Sequence, residues 1–297
     1  MPIKKPKTFD EQIEILQKRG CIIPDKVWAK SVLEQLNYYR LSAYFLPFKK
    51  KDGTYIKETT LNNVYRIYEF DRKMRNLILL VAEEIEIYLR TQLAYYHSMK
   101  YGAIGYLDAA NFSTSHNHEL FLESVNEFIE KNKTKPFVKH HLQKHNGNFP
   151  LWVAVEMFTF GTLSYFYADM ELSDQKQFAS YAYAANYDKL GSWFKCANLI
   201  RNSCAHYSRL YNSVFPFVPK TPLGFKYTLN RKLFDYILVL KFLSVDINKW
   251  KTFVTNLNAL VYEYNDVIVL SCIGFPVNWE EILLLPQSFY TVTNKKA

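Results

Sequence analysis

The sequence is poor in glycine, with 9 residues in 297, about half of what an average usage of roughly 7% would supply. Tight turns of β-sandwiches and the loops that cradle nucleotide phosphates both draw on glycine. This scarcity therefore disfavours both classes and makes long helices the simplest interpretation. Long apolar runs are also missing, because none approaches the roughly 18 to 20 residues that a membrane-spanning helix needs, so we expect no membrane segment.

Paired cysteines are absent as well. The four cysteines form no CxxC motif, and the start of the chain, MPIKKPKTF, lacks the apolar core of a signal peptide. This pattern predicts a reduced, cytoplasmic protein. Likewise, the sequence contains no HExxH, no DxD and no paired set of Cys and His ligands. We therefore expect neither a metal nor another cofactor, and we interpret the histidines at 140, 141 and 145 as part of a basic surface.

Apolar and positively charged residues are plentiful. Hydrophobic residues make up 49% of the chain and aromatic residues 17%, too much apolar surface for a disordered protein. The formal net charge is +9, which favours a polyanionic partner such as RNA, DNA or an acidic membrane. Aromatic residues at helical spacing are typical of a core, so we assign Tyr38, Tyr39 and Tyr44 to the interior. We interpret His97, His116 and His118 as surface or capping residues.

Periodicity predicts an all-α protein in three parts. Residues 1–60 form an N-terminal helical extension that includes a helix capped by Thr8. Residues 61–215 form the central part, in which residues 61–101 make one very long helix or two collinear ones. Prolines at 216, 219 and 222 interrupt helical structure, and helical patterning resumes near residue 230 in a C-terminal segment, 216–297, whose role stays open.

The segment SWFKCANLIRNSCAHYSRLYN is the most informative. Its apolar stripe contains Trp193, Ala197, Ile200, Cys204, Tyr207 and Tyr211. On a continuous helix a polar stripe would lie opposite and would contain Asn198, Asn202, His206 and Arg209. Arg201 lies about 140° from His206 around the helix, so its side chain must reach sideways to the same cleft. We assign Cys204 to packing, not to nucleophilic chemistry.

The Arg-x4-His pattern in RNSCAH resembles the signature of the HEPN superfamily of helical ribonucleases. The longer RNSCAHYSRLYN is similar to the version in the Abi-like family, abortive-infection proteins of the AbiD/AbiF type. Three further segments agree with that family: NYYRLSAYFLPF at 37–48, YEFDRKMRNLILLVAEEIEIYLRTQLAYY at 68–96 and PLWVAVEMFTFGTLSYFY at 150–167. The resemblance runs in order from about residue 5 to residue 212, and it implies a HEPN-like helical bundle for 61–215.

The resemblance implies a metal-independent endoribonuclease that uses the 2′-OH of its RNA substrate as nucleophile. His206 would act as general base or acid, and Arg201 would hold the scissile phosphate and stabilise charge in the transition state. Asn202 would orient the imidazole or bind a phosphate oxygen. Because two such motifs usually meet across a pseudo-symmetric interface in HEPN enzymes, the resemblance also implies a homodimer with a composite site.

Six further residues are candidates for RNA binding. Glu86 and Arg90, one turn apart, match a recurrent charged pair of the family and are equally well explained as an ordinary ion pair. Asn198 and Arg209 belong to the predicted polar stripe. Lys73 and Arg75 belong to a basic cluster that could contact phosphates or simply face solvent.

Two other functions remain open at this point. The chain could be a non-catalytic module that holds a structured or small non-coding RNA and acts through a partner. It could also be a helical toxin or scaffold that acts through protein contacts. An antitoxin or a phage-derived trigger would be a further partner in any of these schemes.

Overall fold

The computed structural model describes residues 5–222 and 224–286. Within these residues the chain forms thirteen α-helices and no β-strand, so the predicted all-α class is confirmed. The last part of the C-terminal segment, residues 287–297, lies outside the described residues. In the described part no helix has both the length and the hydropathy to cross a bilayer.

The connections between the helices differ in length, the one between α10 and α11 is long, and several 3₁₀ turns lie within the connections. The α-helices are α1 (Phe9–Lys18), α2 (Lys26–Gln35), α3 (Tyr38–Ser42), α4 (Leu61–Tyr101), α5 (His118–Asn132), α6 (Pro136–Lys144), α7 (Leu151–Ala154), α8 (Phe160–Asp169), α9 (Leu172–Tyr183), α10 (Tyr187–Ala205), α11 (Leu233–Leu243), α12 (Ile247–Glu263) and α13 (Trp279–Leu284). The longer 3₁₀ turns are Ala43–Phe48 and Leu270–Ile273.

Helix α4 is a single helix of 41 residues, which makes it about 60 Å long. Thr60 caps its first turn by accepting a hydrogen bond from the backbone N–H of Asn63, and Gly102 ends it with a positive φ of 81°. No proline or glycine lies inside it, so nothing in the backbone forces a kink. The sequence left open one helix or two, and the structure shows one.

Helices α4 and α10 form the centre of the molecule. Helix α10 packs against α4, α8, α9 and α11, and α12 packs along α4. Every residue of α11 is buried. The buried apolar side chains form one hydrophobic core, whose first residue in the chain is Ile13 and whose last is Leu283. This core includes residues on both sides of the boundaries predicted at residues 60 and 215.

Local capping divides two stretches of the chain into short helices. Helix α2 follows its N-cap Asp25 and ends at Gln35, and Asn37 then caps the separate helix α3. The helix that follows Pro150 stops after four residues in α7. Thr159 caps a new helix, α8, by accepting a hydrogen bond from the N–H of Thr162, and Phe158 before it is extended.

His97 is fully buried, so its assignment to the surface is wrong. The rings of Tyr101, Phe112 and Phe166 surround the imidazole at centroid distances of 4.9, 5.5 and 5.1 Å. Neither ring nitrogen has a hydrogen-bond partner among the described residues. Burial lowers the pKa of His97 to about 4, with the Asp174 carboxylate opposing this shift.

We predict that His97 makes the fold less stable in mild acid. The unfolded chain takes up a proton on His97 near its reference pKa of about 6.5, whereas the native state does so only near pH 4. The free energy of unfolding should therefore fall as the pH drops through this window, by about 3 kcal/mol in total from this group. Urea unfolding at pH 7 and pH 5 should show a smaller pH dependence for His97→Leu than for the unmodified chain. An equal pH dependence in the two proteins would contradict the assignment.

Candidate active site

One carboxylate joins two arginines between the central helices. In α4, Glu86 Oε1 accepts a hydrogen bond from Arg90 Nη2 at 2.9 Å. The second oxygen, Oε2, lies 3.2 Å from Nη2 of Arg201 in α10. The ion pair predicted from the spacing of Glu86 and Arg90 is thus present, and Arg201 extends it to a third residue. Two guanidinium groups therefore share the carboxylate of Glu86.

This cluster lines a cleft of about 400 Å³. Leu79, Glu83, Ile87 and Ala205 complete the lining. The side chains of Glu86 and Arg90 are only 12% exposed, whereas that of Arg201 is 35% exposed. Arg90 Nη2 also donates to the carbonyl of Phe158 at 3.0 Å, but its Nη1 is buried without a partner in the described residues. The partly exposed guanidinium of Arg201 is suited to bind an anion such as a phosphate.

Two asparagines fix the position of Arg201. Asn202 Oδ1 accepts from Arg201 Nη1, and Asn202 Nδ2 donates to Asn198 Oδ1, both at 3.1 Å. Asn198 lies close to Gly161 at the start of α8, where an added Cβ would come within 3.4 Å of the amide. The amide of Asn202 therefore contacts Arg201 and Asn198, not the imidazole of His206 that it was expected to orient.

His206 is the C-cap of α10 and is exposed. Its backbone N–H donates to the carbonyl of Asn202 at 2.9 Å. No described residue forms a hydrogen bond with its imidazole, so both ring nitrogens are free to meet a substrate. Its neighbour in the chain, Ala205, lines the arginine cleft, whereas His206 itself is not part of the lining.

Helix α10 ends at Ala205, so the prediction of a continuous helix to residue 211 is wrong. The N–H of Tyr207 donates to the carbonyl of Cys204, and the N–H of Ser208 donates to that of Ser203. These two bonds define a Schellman motif, which usually has glycine at the position that Tyr207 occupies here with φ 57°. A non-glycine residue there costs roughly 1–2 kcal/mol, and the sequence contains no glycine that would have marked this end.

The early end of α10 removes Tyr207 and Arg209 from the stripes on which the sequence placed them. The Arg209 guanidinium instead donates to the carbonyl of Ala43. Cys204 does lie in the core as predicted, and burial raises the pKa of its thiol to about 12, which leaves the group unreactive.

The turn after His206 is held by Asp71, a residue that the sequence analysis missed. Its buried carboxylate accepts from Tyr44 Oη at 2.6 Å and from Arg75 Nη1 at 2.7 Å. It also accepts from the backbone N–H groups of Leu210 at 3.0 Å and Tyr211 at 2.8 Å. Burial raises the pKa of Asp71, and the Tyr44 hydroxyl, the Arg75 charge and the two backbone N–H groups oppose this.

A sequence signal for Asp71 existed. It shares its helix face with the buried residues Met74 and Ile78. The acidic Asp71 and the basic Arg75, one turn apart, therefore both occupy positions whose spacing is typical of a core. A buried ion pair is the only arrangement in which both can occupy such positions at tolerable cost.

Several other predicted residues have different surroundings from those expected. Arg75 is buried against Asp71, so the prediction that it contacts RNA is wrong, because exposing it would leave Asp71 unpaired. Lys73 pairs with Glu263 of α12 at 2.5 Å. Tyr44 is buried as predicted, but Tyr39 is 85% exposed, and its assignment to the core is wrong.

Within residues 5–222 and 224–286 no group of three or more His, Cys, Asp or Glu is arranged to hold a metal.

We predict that Asp71 is needed for stability. Asp71→Leu should lower the free energy of unfolding by about 3–5 kcal/mol, because it leaves Arg75 buried without its counter-charge. Urea unfolding measures this loss. As a control, Asp71→Leu combined with Arg75→Met should recover a large part of it, since no charge is then left unpaired. A double variant as unstable as the single one would show that the charge of Arg75 is not the cause.

Comparison with known proteins identifies a family. The family model described as Abi-like protein matches residues 31–212, which include Tyr44, Asp71, Glu86, Arg201 and His206. No curated protein and no solved structure gave a significant match. Since the matched span covers more than half of the chain, the protein belongs to the Abi-like family.

Proposed function

We propose that the chain is a HEPN-type, metal-independent endoribonuclease that acts in the cytoplasm in abortive infection and cleaves RNA through its 2′-OH. Membership of the Abi-like family suggests the role in abortive infection. The observation that carries the proposed activity is the cluster of Glu86, Arg90 and Arg201 in a cleft that Ala205 also lines, with the exposed His206 as the next residue in the chain. It combines an anion-binding cleft with an imidazole that is free to exchange protons.

The proposed reaction forms a 2′,3′-cyclic phosphate. The His206 imidazole removes the proton from the 2′-OH, and the 2′-oxygen attacks the adjacent phosphorus. The bond from phosphorus to the 5′-oxygen breaks, and that oxygen takes a proton from a second acid. Arg201 binds the phosphate and stabilises the negative charge that accumulates on its oxygens, which needs no metal ion.

A dimer supplies the second acid. The base and the acid must lie on opposite sides of the phosphorus for an in-line displacement, and one imidazole cannot occupy both places. Two copies related by a two-fold axis would present two His206 side chains to one phosphate. The free imidazole at the end of α10 and the two arginines of the nearby cleft support this arrangement. A protein antitoxin or a phage-derived trigger would then act by blocking or assembling this composite site.

We predict that the purified protein cleaves single-stranded RNA in the presence of EDTA and leaves 2′,3′-cyclic phosphate ends. His206→Ala should reduce the rate by about 100-fold or more. The fold should be unchanged, because the imidazole is exposed and has no hydrogen-bond partner to lose. Gel assays with end-group analysis measure the first effect and thermal unfolding the second. Full activity in folded His206→Ala would exclude the assignment. Co-purification of a defined RNA without cleavage in any condition would favour the RNA-binding alternative.

A mixing experiment tests the composite site. Unmodified chain and a chain with both Arg201→Ala and His206→Ala are co-expressed in equal amounts with different tags. If a site needs both copies, only the unmodified pairs are active, so about a quarter of the activity remains. If each chain works alone, about half remains. The control mixes two differently tagged unmodified chains, and purified hybrid dimers with half of the normal activity would contradict the composite site.

A further inference from the structure

Two exposed tyrosines lie on segments that touch each other next to His206. Tyr39 of α3 is 85% exposed, and Tyr207 is 67% exposed. The Arg40 guanidinium donates to the carbonyl of Tyr207 at 2.7 Å, and the Arg209 guanidinium donates back to the carbonyl of Ala43. Helix α3 and the turn after His206 are therefore held side by side, and we call Tyr39, Arg40 and Tyr207 the tyrosine platform.

Packing does not account for these rings. Among the described residues neither tyrosine contacts another aromatic ring, and neither hydroxyl forms a hydrogen bond. Tyr207 also occupies the left-handed position of the Schellman motif, which favours glycine. The structure thus holds a large aromatic side chain in an unfavourable backbone conformation and turns it mostly to solvent. Strained residues of this kind cluster at sites that bind or react.

The surroundings favour a nucleic acid as the partner. Arg40 is exposed, and only one of its nitrogens is occupied by the Tyr207 carbonyl, so the others can meet a phosphate. Flat aromatic rings beside a guanidinium are the usual surface on which unpaired bases stack. A duplex keeps its bases stacked inside and cannot offer their faces to such rings.

We infer that the tyrosine platform stacks unpaired bases next to the phosphate at His206, so that the substrate is single-stranded RNA. This inference rests on the proposed function, because it assigns the bases on one side of the scissile bond. Arg201 and Arg90 would bind the phosphate itself, and the platform would hold the strand. Stacking reads no particular base, so we expect little sequence preference from this surface.

The test measures binding without cleavage. A fluorescent 12-nucleotide RNA with 2′-O-methyl groups cannot undergo the reaction, and anisotropy gives its affinity for the full chain. Tyr207→Asn removes the ring but keeps a residue that tolerates positive φ, and Tyr39→Ser removes the other ring. Each should weaken binding about 5- to 100-fold, with thermal unfolding unchanged. Tyr207→Phe and Tyr39→Phe keep the rings and should restore affinity.

A matched control and a duplex separate the outcomes. Tyr262→Asn removes an exposed tyrosine from α12 and should leave binding within about twofold of the unmodified chain. A duplex of the same sequence should bind without dependence on Tyr39 or Tyr207. Unchanged affinity in Tyr39→Ser combined with Tyr207→Asn would overturn the inference.

The two proposals can fail separately. If the unmodified chain cleaves RNA but the tyrosine variants bind normally, the proposed function stands and the platform does not. If binding depends on the tyrosines but no cleavage occurs, the platform stands and the nuclease does not. Absence of any RNA binding by the unmodified chain would overturn both.

Discussion

The buried carboxylate of Asp71 is the constraint on which the arrangement of this molecule depends. Removing a charged carboxylate from water costs several kcal/mol unless donors replace the lost hydration. Here the donors come from three segments: Tyr44 before α4, Arg75 one turn along α4, and the backbone after α10 at Leu210 and Tyr211. None of the three can move without leaving a buried charge unsatisfied. The position of the turn after His206 is therefore set from inside the core.

Two similar ion pairs on α4 have different roles because their polar atoms have different numbers of hydrogen-bond partners. Asp71 and Arg75 are buried, and the carboxylate has four donors. Glu86 and Arg90 lie 15 residues further, about 22 Å along the helix, at the edge of a cleft. There Arg90 keeps one nitrogen without a partner, and Arg201 is partly exposed. A saturated pair can only support the fold, whereas an unsaturated one retains the capacity to bind a ligand. The extent of hydrogen bonding thus distinguishes the pair that supports the fold, Asp71 and Arg75, from the pair that lines the candidate site, Glu86 and Arg90.

Sequence reasoning succeeded where the information is local. The Thr8 cap, the first and last residues of α4, the core position of Cys204 and the Glu86 and Arg90 pair all follow from neighbours within a few residues. Arg75 is a local failure: it was assigned to the surface although Asp71 lies only one turn away, because its charge was considered without that carboxylate. The other failures concern contacts that span a large distance along the chain. The hydrogen bonds that hold the turn after α10 join Asp71 to residues about 140 positions later, and no periodicity reveals them. Tyr39 and Tyr207 were placed by helical spacing that the chain does not maintain.

The end of α10 also explains how a histidine in a packed helix becomes accessible. On a continuous helix, Arg209 and Leu210 would lie one turn beyond His206 and would cover its imidazole, because residues three and four positions apart are neighbours on a helix surface. The left-handed conformation of Tyr207 redirects the chain before that turn forms, and Asp71 draws Leu210 into the core instead. The imidazole is left with open space on its C-terminal side. A strained residue at one position and a buried carboxylate in another helix together create the opening at which a phosphate, and a second copy of the helix, could approach.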